Sequence, residues 1–260
     1  MPYPSLKNKV ALVTGGNTGI GKCIVRRFAE EGSNVVIGYF QPDGVDDIVS
    51  RVRGHGVEAL AVEVDIRNRD QVSRIMNEIC LRFGGLNFLI CNAAAQYCKP
   101  FLDMGAYETD EIIDTNITGT INCIQWGSWL MLQKPSEMHS VIGISSINAP
   151  RAQEGLEIYG MTKVAIEALV TSLSVPLGSK GIRINGIRPG STATERTLQI
   201  SNYHAWAEVI PTGRITEPED IAGLAAFLCS SDAAQITGVT VAVDGGQANT
   251  RHRPDAVGRG

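Results

Sequence analysis

Aromatic residues make up only 6% of the 260-residue chain, and histidine occurs only four times. The histidines are dispersed and no HExxH run occurs, so the sequence offers no metalloprotease-like zinc site, and no metal is expected. Six cysteines, Cys23, Cys80, Cys91, Cys98, Cys123 and Cys229, include no CxxC pair, which excludes a zinc ribbon and a thioredoxin-like redox motif. Most lie in apolar helix or strand patterns, where Cys behaves as a small hydrophobe. There is no long basic run and the formal net charge is −4, so nucleic acid is not the expected partner. No apolar run approaches the ~20 residues that span a bilayer, so no membrane partner is expected. Met1–Lys9 has no apolar core of a secretory signal, which points to a cytoplasmic protein.

What the chain has in abundance is glycine, 28 residues, punctuating an alternation of strand-like and helix-like periods. Strands are expected at Val10–Thr14, Asn34–Tyr39, about Val57–Val64, Leu86–Cys91, Val141–Ser145, Ile182–Ile187 and Thr240–Val243. Helices are expected at about Ile20–Glu31, Asp46–Arg53, Val72–Phe83, Thr109–Gln133, Ile158–Leu177 and Pro218–Cys229. No repeat or linker divides them. The alternation predicts one α/β domain over 1–250, a doubly wound sheet of about seven parallel strands with helices on both faces. A polar tail follows at 251–260. In such sheets ligands bind beyond the carboxyl ends of the strands, where the strand order switches.

The first strand runs into Thr14-Gly15-Gly16-Asn17-Thr18-Gly19-Ile20-Gly21, which opens the first helix. Gly15 suits a tight turn, Gly19 lets backbone N–H groups approach a pyrophosphate, and Gly21 allows close helix–sheet packing. This context predicts a dinucleotide loop. About 20 residues on, where an acid usually binds the adenosine ribose, the second strand ends in Tyr39, followed by Phe40 and Gln41. No carboxylate stands there to repel a 2′-phosphate and no Arg or Lys to bind one, so NADP(H) is favoured only by the missing repulsion and NAD(H) stays open. Asp65, with Ile66 behind it, suits either an acceptor for the adenine amino group or a helix-cap or turn residue.

Tyr159 and Lys163 stand at i and i+4 on a predicted helix, so they share a face. A free tyrosine ionises near pH ~10, but a lysine charge ~5 Å away at an effective dielectric of ~20 contributes about 3 kcal/mol. That predicts a Tyr159 pKa lowered by about two units. Ser145 and Ser146 end the preceding strand, where a hydroxyl can bind a substrate oxygen.

Taken in order, TGGNTGIG (14–21), Asp65, CNAA (91–94), Asn116 in DTNITG, ISS (144–146), YGMTK (159–163), INGIRPG (184–190) and ITGVTVAVDGG (236–246) resemble the short-chain dehydrogenase/reductase family over nearly the whole chain. The resemblance implies a Rossmann-type fold and an NAD(P)-dependent oxidoreductase interconverting an alcohol and a carbonyl by hydride transfer, with the sugar dehydrogenase and 3-oxoacyl reductase-like branch most similar. It implies Tyr159 as acid/base, Lys163 on the ribose hydroxyls, and Ser146 rather than Ser145 as the catalytic serine. Asn116 would hold a water in a proton relay reaching Lys163. The cofactor would lie against Gly15, Asn17, Thr18, Gly19, Ile20, Tyr39, Asp65, Ile66, Asn92, Ala93, Pro189 and Gly190, with Thr192 and Thr194 on the nicotinamide carboxamide.

Two departures stand out: Cys91 replaces an Asn and Ala94 a Gly in the family's NNAG turn. Residues 191–210 match the usual substrate loop, in which Tyr203, His204 and Trp206 are expected to form a lid, with Trp206 alternatively a packing anchor. Asn148 and Gln153, near Ser146 and Tyr159, complete the expected pocket lining. Family members are usually homotetramers or dimers, through helices matching Thr109–Gln133 and Ile158–Leu177. Two other classes use the same fold: a non-catalytic dinucleotide sensor or scaffold, and an epimerase or dehydratase. The intact Ser146, Tyr159, Lys163 and Asn116 weigh against the first, and the GxxxGxG spacing against the second.

Overall fold

The computed structural model describes residues 3–135, 137–200 and 203–250. The tail expected at 251–260 lies outside the described residues. β1 (Val10–Thr14) is buried at all five positions, as expected for a central strand with helices on both faces. It is followed by β2 (Asn34–Tyr39), β3 (Ala59–Glu63), β4 (Phe88–Cys91), β5 (His139–Ile144), β6 (Ile182–Pro189) and β7 (Thr240–Val243). They form one sheet in the order β3-β2-β1-β4-β5-β6-β7, parallel throughout. The order switches between β1 and β4, and the crevice there is where a ligand is expected.

Around the sheet lie α1 (Gly19–Glu30), α2 (Val45–Gly54), α3 (Arg69–Phe83), α4 (Ala106–Ile113), α5 (Thr120–Met131), α6 (Glu157–Gly178) and α7 (Pro218–Cys229). One core layer joins the sheet to α1, α2 and α7 through Ile24, Phe28, Ile48 and Ile221. Phe28 and Phe88 meet there with ring centroids 5.9 Å apart. The other layer joins it to α3, α5 and α6 through Ile75, Ile79, Cys123 and Val170. Each such fully buried side chain contributes roughly 1.5–3 kcal/mol.

Several expectations needed correction. The single helix expected at Thr109–Gln133 is α4 and α5 joined by a π-helical segment, Asp114–Gly119. The segment is set by tertiary packing: Gly119 lies so close to Ile66 that a Cβ would come within 2.6 Å of its Cγ1. β3 is shorter than the apolar run suggested, and β6 extends to Pro189. Cys91, Cys123 and Cys229 are buried as expected, but Cys80 and Cys98 are exposed. The expected absence of any span-like run also fails for α6, whose length and apolarity match a membrane span. It places Tyr159, Lys163 and Glu167 at the sheet's ligand end, and it lies along β6.

Candidate active site

At the switch point, β1 turns through Gly15 and Gly19, both in the left-handed region (φ +60° and +50°) that favours glycine. Gly21 has ordinary helical geometry, yet its Cβ would fall well inside contact distance of the Gly15 carbonyl and 2.6 Å from Asn92 Nδ2. The backbone is thus drawn to a closeness that no side chain permits. Thr18, exposed, opens α1 without a side-chain capping bond, so the first-turn N–H groups remain free to meet an anion. Ile20 is half-buried in that turn and packs on the adjoining core layer. These features fit a pyrophosphate. Asn17 does not join them through its side chain: it is buried, and its amide donates to Gln41 O and Asp43 O, both at 2.8 Å. It pins the β2–α2 loop to the glycine loop.

Half-buried Tyr39 ends β2, with Phe40 largely exposed beyond it. Asp65 forms the turn, one of its two readings. Its carboxylate accepts from Arg67 N at 3.0 Å, Arg67 Nε at 2.9 Å and Arg67 Nη2 at 2.7 Å. The guanidinium holds the Asp65 carboxyl below its usual range. The cap of α3 is Asn68, which accepts from Asp70 N and Gln71 N. Ile66 is buried against Gly119. The Arg67 guanidinium lies 5.5 Å from the Phe40 ring centroid, beside the end of β2, a contact that no motif signals.

β4 delivers Asn92 and Ala93, whose backbone N–H groups donate to Thr14 Oγ1 at 3.0 and 3.1 Å. Asn92 Nδ2 donates to Thr14 O and Gly15 O. The hydroxyl of Thr14 therefore ties the switch point together, a role that only the contacts reveal. Cys91 is buried opposite Gly143 of β5, and burial pushes its thiol well up. Ala94 is exposed, so its extra methyl crowds no protein group.

β5 ends at Ile144, and the two serines after it part ways. Ser145 is buried and donates to Glu167 Oε1 at 2.6 Å, whereas Ser146 stays half-buried beside Tyr159. Lys163 is buried, and its ammonium donates to Ile144 O at 2.9 Å. An ammonium carries three donors, so two remain for a diol such as a ribose. Burial pushes the Lys163 pKa down to about 8. Tyr159 is corrected in sign. Burial raises its pKa, only partly offset by the Ser146 hydroxyl and the Arg196 charge. Lys163 sits 5.4 Å from the Tyr159 ring centroid, over the ring face. Desolvation outweighs the Coulomb gain expected from sequence.

A depressed lysine pKa has a signed consequence. Between about pH 8 and the ordinary value of 10.5, the unfolded chain holds a proton that the folded one has lost. Stability relative to Lys163→Met should therefore rise across that window, by about 3 kcal/mol in all. Denaturant unfolding of both proteins at pH 7.5 and 10 measures it; equal pH slopes would contradict the buried ammonium.

Asn116, in the π segment, is 1% exposed. Its Oδ1 accepts from Ala95 N at 2.8 Å, and its Nδ2 donates to Ala95 O and Thr162 Oγ1, both at 3.0 Å. It thereby locks the β4 exit to α6 one residue ahead of Lys163. Its Oδ1 keeps one lone pair open beside Ala95 N, so an acceptor for the relay water that the resemblance implied remains. Below Lys163, Glu167 forms a bidentate pair with Arg188 (2.8 and 2.6 Å). Its spacing, i+4 from Lys163 on one face, was readable in the sequence; its partner on β6 was not.

Beyond β6, Pro189 is buried and Gly190 packs against Asp244 and Gln247. Thr192 is buried, and its hydroxyl donates to Gly190 O at 2.9 Å. Thr194 pairs with Thr197 through their hydroxyls at 3.0 Å and faces Gly19. Tyr203 and Trp206, 4% and 7% exposed, cluster with Ile210 and Ile215 as packing anchors. Trp206 also lines a cavity of about 10 Å³, water-sized, with Asn148, Arg151 and Gln153.

With this geometry in view, comparison with known proteins gives one answer. The profile described as Enoyl-(Acyl carrier protein) reductase matches residues 15–248. The 3-oxoacyl-(acyl-carrier-protein) reductase FabG of Staphylococcus epidermidis is 35% identical over 242 residues, covering 92% of this chain and 98% of that protein. A short-chain type dehydrogenase/reductase from Mycobacterium marinum superposes with a TM-score of 0.88 at 31% identity, covering 93% and 96% of the two chains. A 7α-hydroxysteroid dehydrogenase complexed with NADH and 7-oxo glycochenodeoxycholic acid gives 0.87 at 29%, covering 93% and 94%. The chain belongs to the short-chain dehydrogenase/reductase family of NAD(P)-dependent oxidoreductases.

Proposed function

We propose that the protein interconverts an alcohol and a carbonyl compound, with NADP(H) preferred and NAD(H) accepted less well. The observation that carries this reading is the meeting of Tyr159, Ser146 and Lys163 at the same end of the sheet as the glycine loop. A nicotinamide dinucleotide bound there would supply the hydride for reduction of the substrate carbon, or accept it in oxidation. In reduction, Tyr159 gives its phenolic proton to the substrate oxygen; in oxidation it takes that proton back. Ser146 donates to the same oxygen and steadies its developing charge.

Lys163 offers its two remaining N–H groups to the ribose, and the first turn of α1 offers its amides to the pyrophosphate. Asn92 and Ala93 flank the adenine ribose, with Tyr39 at its 2′ side. Pro189, Gly190, Thr192 and Thr194 wall the nicotinamide. A homotetramer or dimer built on α5 and α6 is part of the proposal, supported by the exposed Trp129, Met161, Val164 and Val175. All six cysteines are free thiols, which supports a cytoplasmic, reducing location.

Titrating NADPH and NADH separately into the protein, followed by cofactor fluorescence, tests the dinucleotide site. NADPH should bind more tightly, and Tyr39→Asp should weaken it by about tenfold or more through repulsion of the 2′-phosphate. Unchanged NADPH affinity in the variant would remove Tyr39 from the ribose pocket, and binding of neither cofactor would overturn the site.

A further inference from the structure

Beside Tyr159 stands a guanidinium, Arg196, that pairs with no Asp or Glu among the described residues. Arg67, Arg188 and Arg214 are neutralised by Asp65, Glu167 and Asp220, while Arg69, away from the cleft, donates to the Gln125 side chain as Arg196 does to Gln96; what sets Arg196 apart is its place beside Tyr159. Arg151, also without an acidic partner among the described residues, lines the water-sized cavity with Asn148, Gln153 and Trp206 and donates to Gln247 O at 2.7 Å. Arg196 projects from the loop after β6, and its Nη2 donates to Gln96 Oε1 at 2.7 Å. Gln96 follows Ala95, the residue clamped by Asn116. Arg196 therefore reaches from one wall of the cleft to the other, and its charge is felt at Tyr159.

Gln96 gives Arg196 only a neutral amide oxygen. An anion entering the cleft would exchange that bond for a charge-assisted one, and the planar fork suits the paired oxygens of a carboxylate or phosphate. Because Arg196 is exposed, the exchange requires no rearrangement of the core.

We propose that Arg196 is a specificity-determining residue, selecting carbonyl substrates that carry a carboxylate or phosphate group and holding that group opposite Tyr159. The proposal rests on the alcohol–carbonyl reading of the cleft. It is tested with matched substrate pairs, a 3-oxo acid against its methyl ester and a phosphorylated ketone against the free hydroxyketone, on the wild type, Arg196→Met and Arg196→Lys. The wild type should favour the charged member of at least one pair in kcat/KM, and which pair responds identifies the anion. In Arg196→Met that preference should fall about 10- to 100-fold, chiefly through KM, with part of it restored in Arg196→Lys. Equal use of charged and neutral members by the wild type would overturn the assignment, as would a preference that survives in Arg196→Met. A parallel loss of dinucleotide affinity in Arg196→Met, with the substrate preference intact, would overturn it in favour of a cofactor contact. Failure of every carbonyl substrate, neutral ones included, would instead overturn the reading on which the proposal rests.

Discussion

Tyr159→Phe should lower turnover by about 10²- to 10⁴-fold, the range of a lost general acid or base, while dinucleotide affinity stays largely intact. The substitution removes one hydroxyl from a half-buried ring and leaves its packing in place. The Lys163 anchor on Ile144 O does not pass through that hydroxyl, so the ribose donors keep their position. What disappears is the proton that must reach the substrate oxygen. Single-turnover kinetics and a cofactor titration on the same preparation separate the two effects. Retained turnover would remove Tyr159 as the acid/base.

Gly21→Ala carries the other large effect. A Cβ at this position would press on the Gly15 carbonyl and approach Asn92 Nδ2 to 2.6 Å. Both are fixed: Asn92 Nδ2 already donates to Gly15 O at 3.0 Å and to Thr14 O at 2.9 Å. The methyl can be accommodated only by moving α1 away from the glycine turn, which breaks these bonds and spoils the phosphate cradle. Overpacking of this kind costs typically 1–3 kcal/mol and sometimes more. A domain of this size should lose roughly 2–4 °C in Tm per kcal/mol. Cofactor affinity should fall further than stability, because the loop distorts before the core does. A variant that binds dinucleotide as the wild type does, with unchanged Tm, would contradict the close approach.

The two halves of the account differ in how far the sequence alone could reach. Periodicity placed all seven strands because each is a short, largely apolar run closed by glycine, proline or a polar turn, a pattern local to the chain. The glycine loop was legible for the same reason, since backbone demands are written into the residues that meet them. Asn17, Asp65 and Asn116 show the limit. Each carries an amide or carboxylate suited to a ligand, yet in the folded chain each also holds a neighbour with it: the β2–α2 loop, Arg67, and Ala95 with Thr162. Those partners lie up to 46 residues away, and a motif does not record them. The sign of the Tyr159 shift failed in the same way. Spacing gives the distance to Lys163, but only packing gives the desolvation that outweighs it.

The most direct test of the central claim follows the label from NADPH deuterated at nicotinamide C4 into the product of a ketone and oxo-acid panel, read by mass spectrometry. The account predicts deuterium on the carbinol carbon with the wild type, and at least a hundredfold less product with Tyr159→Phe. A wild-type protein that binds NADPH yet transfers no label to any carbonyl would contradict it, and would make the fold a dinucleotide sensor rather than an oxidoreductase.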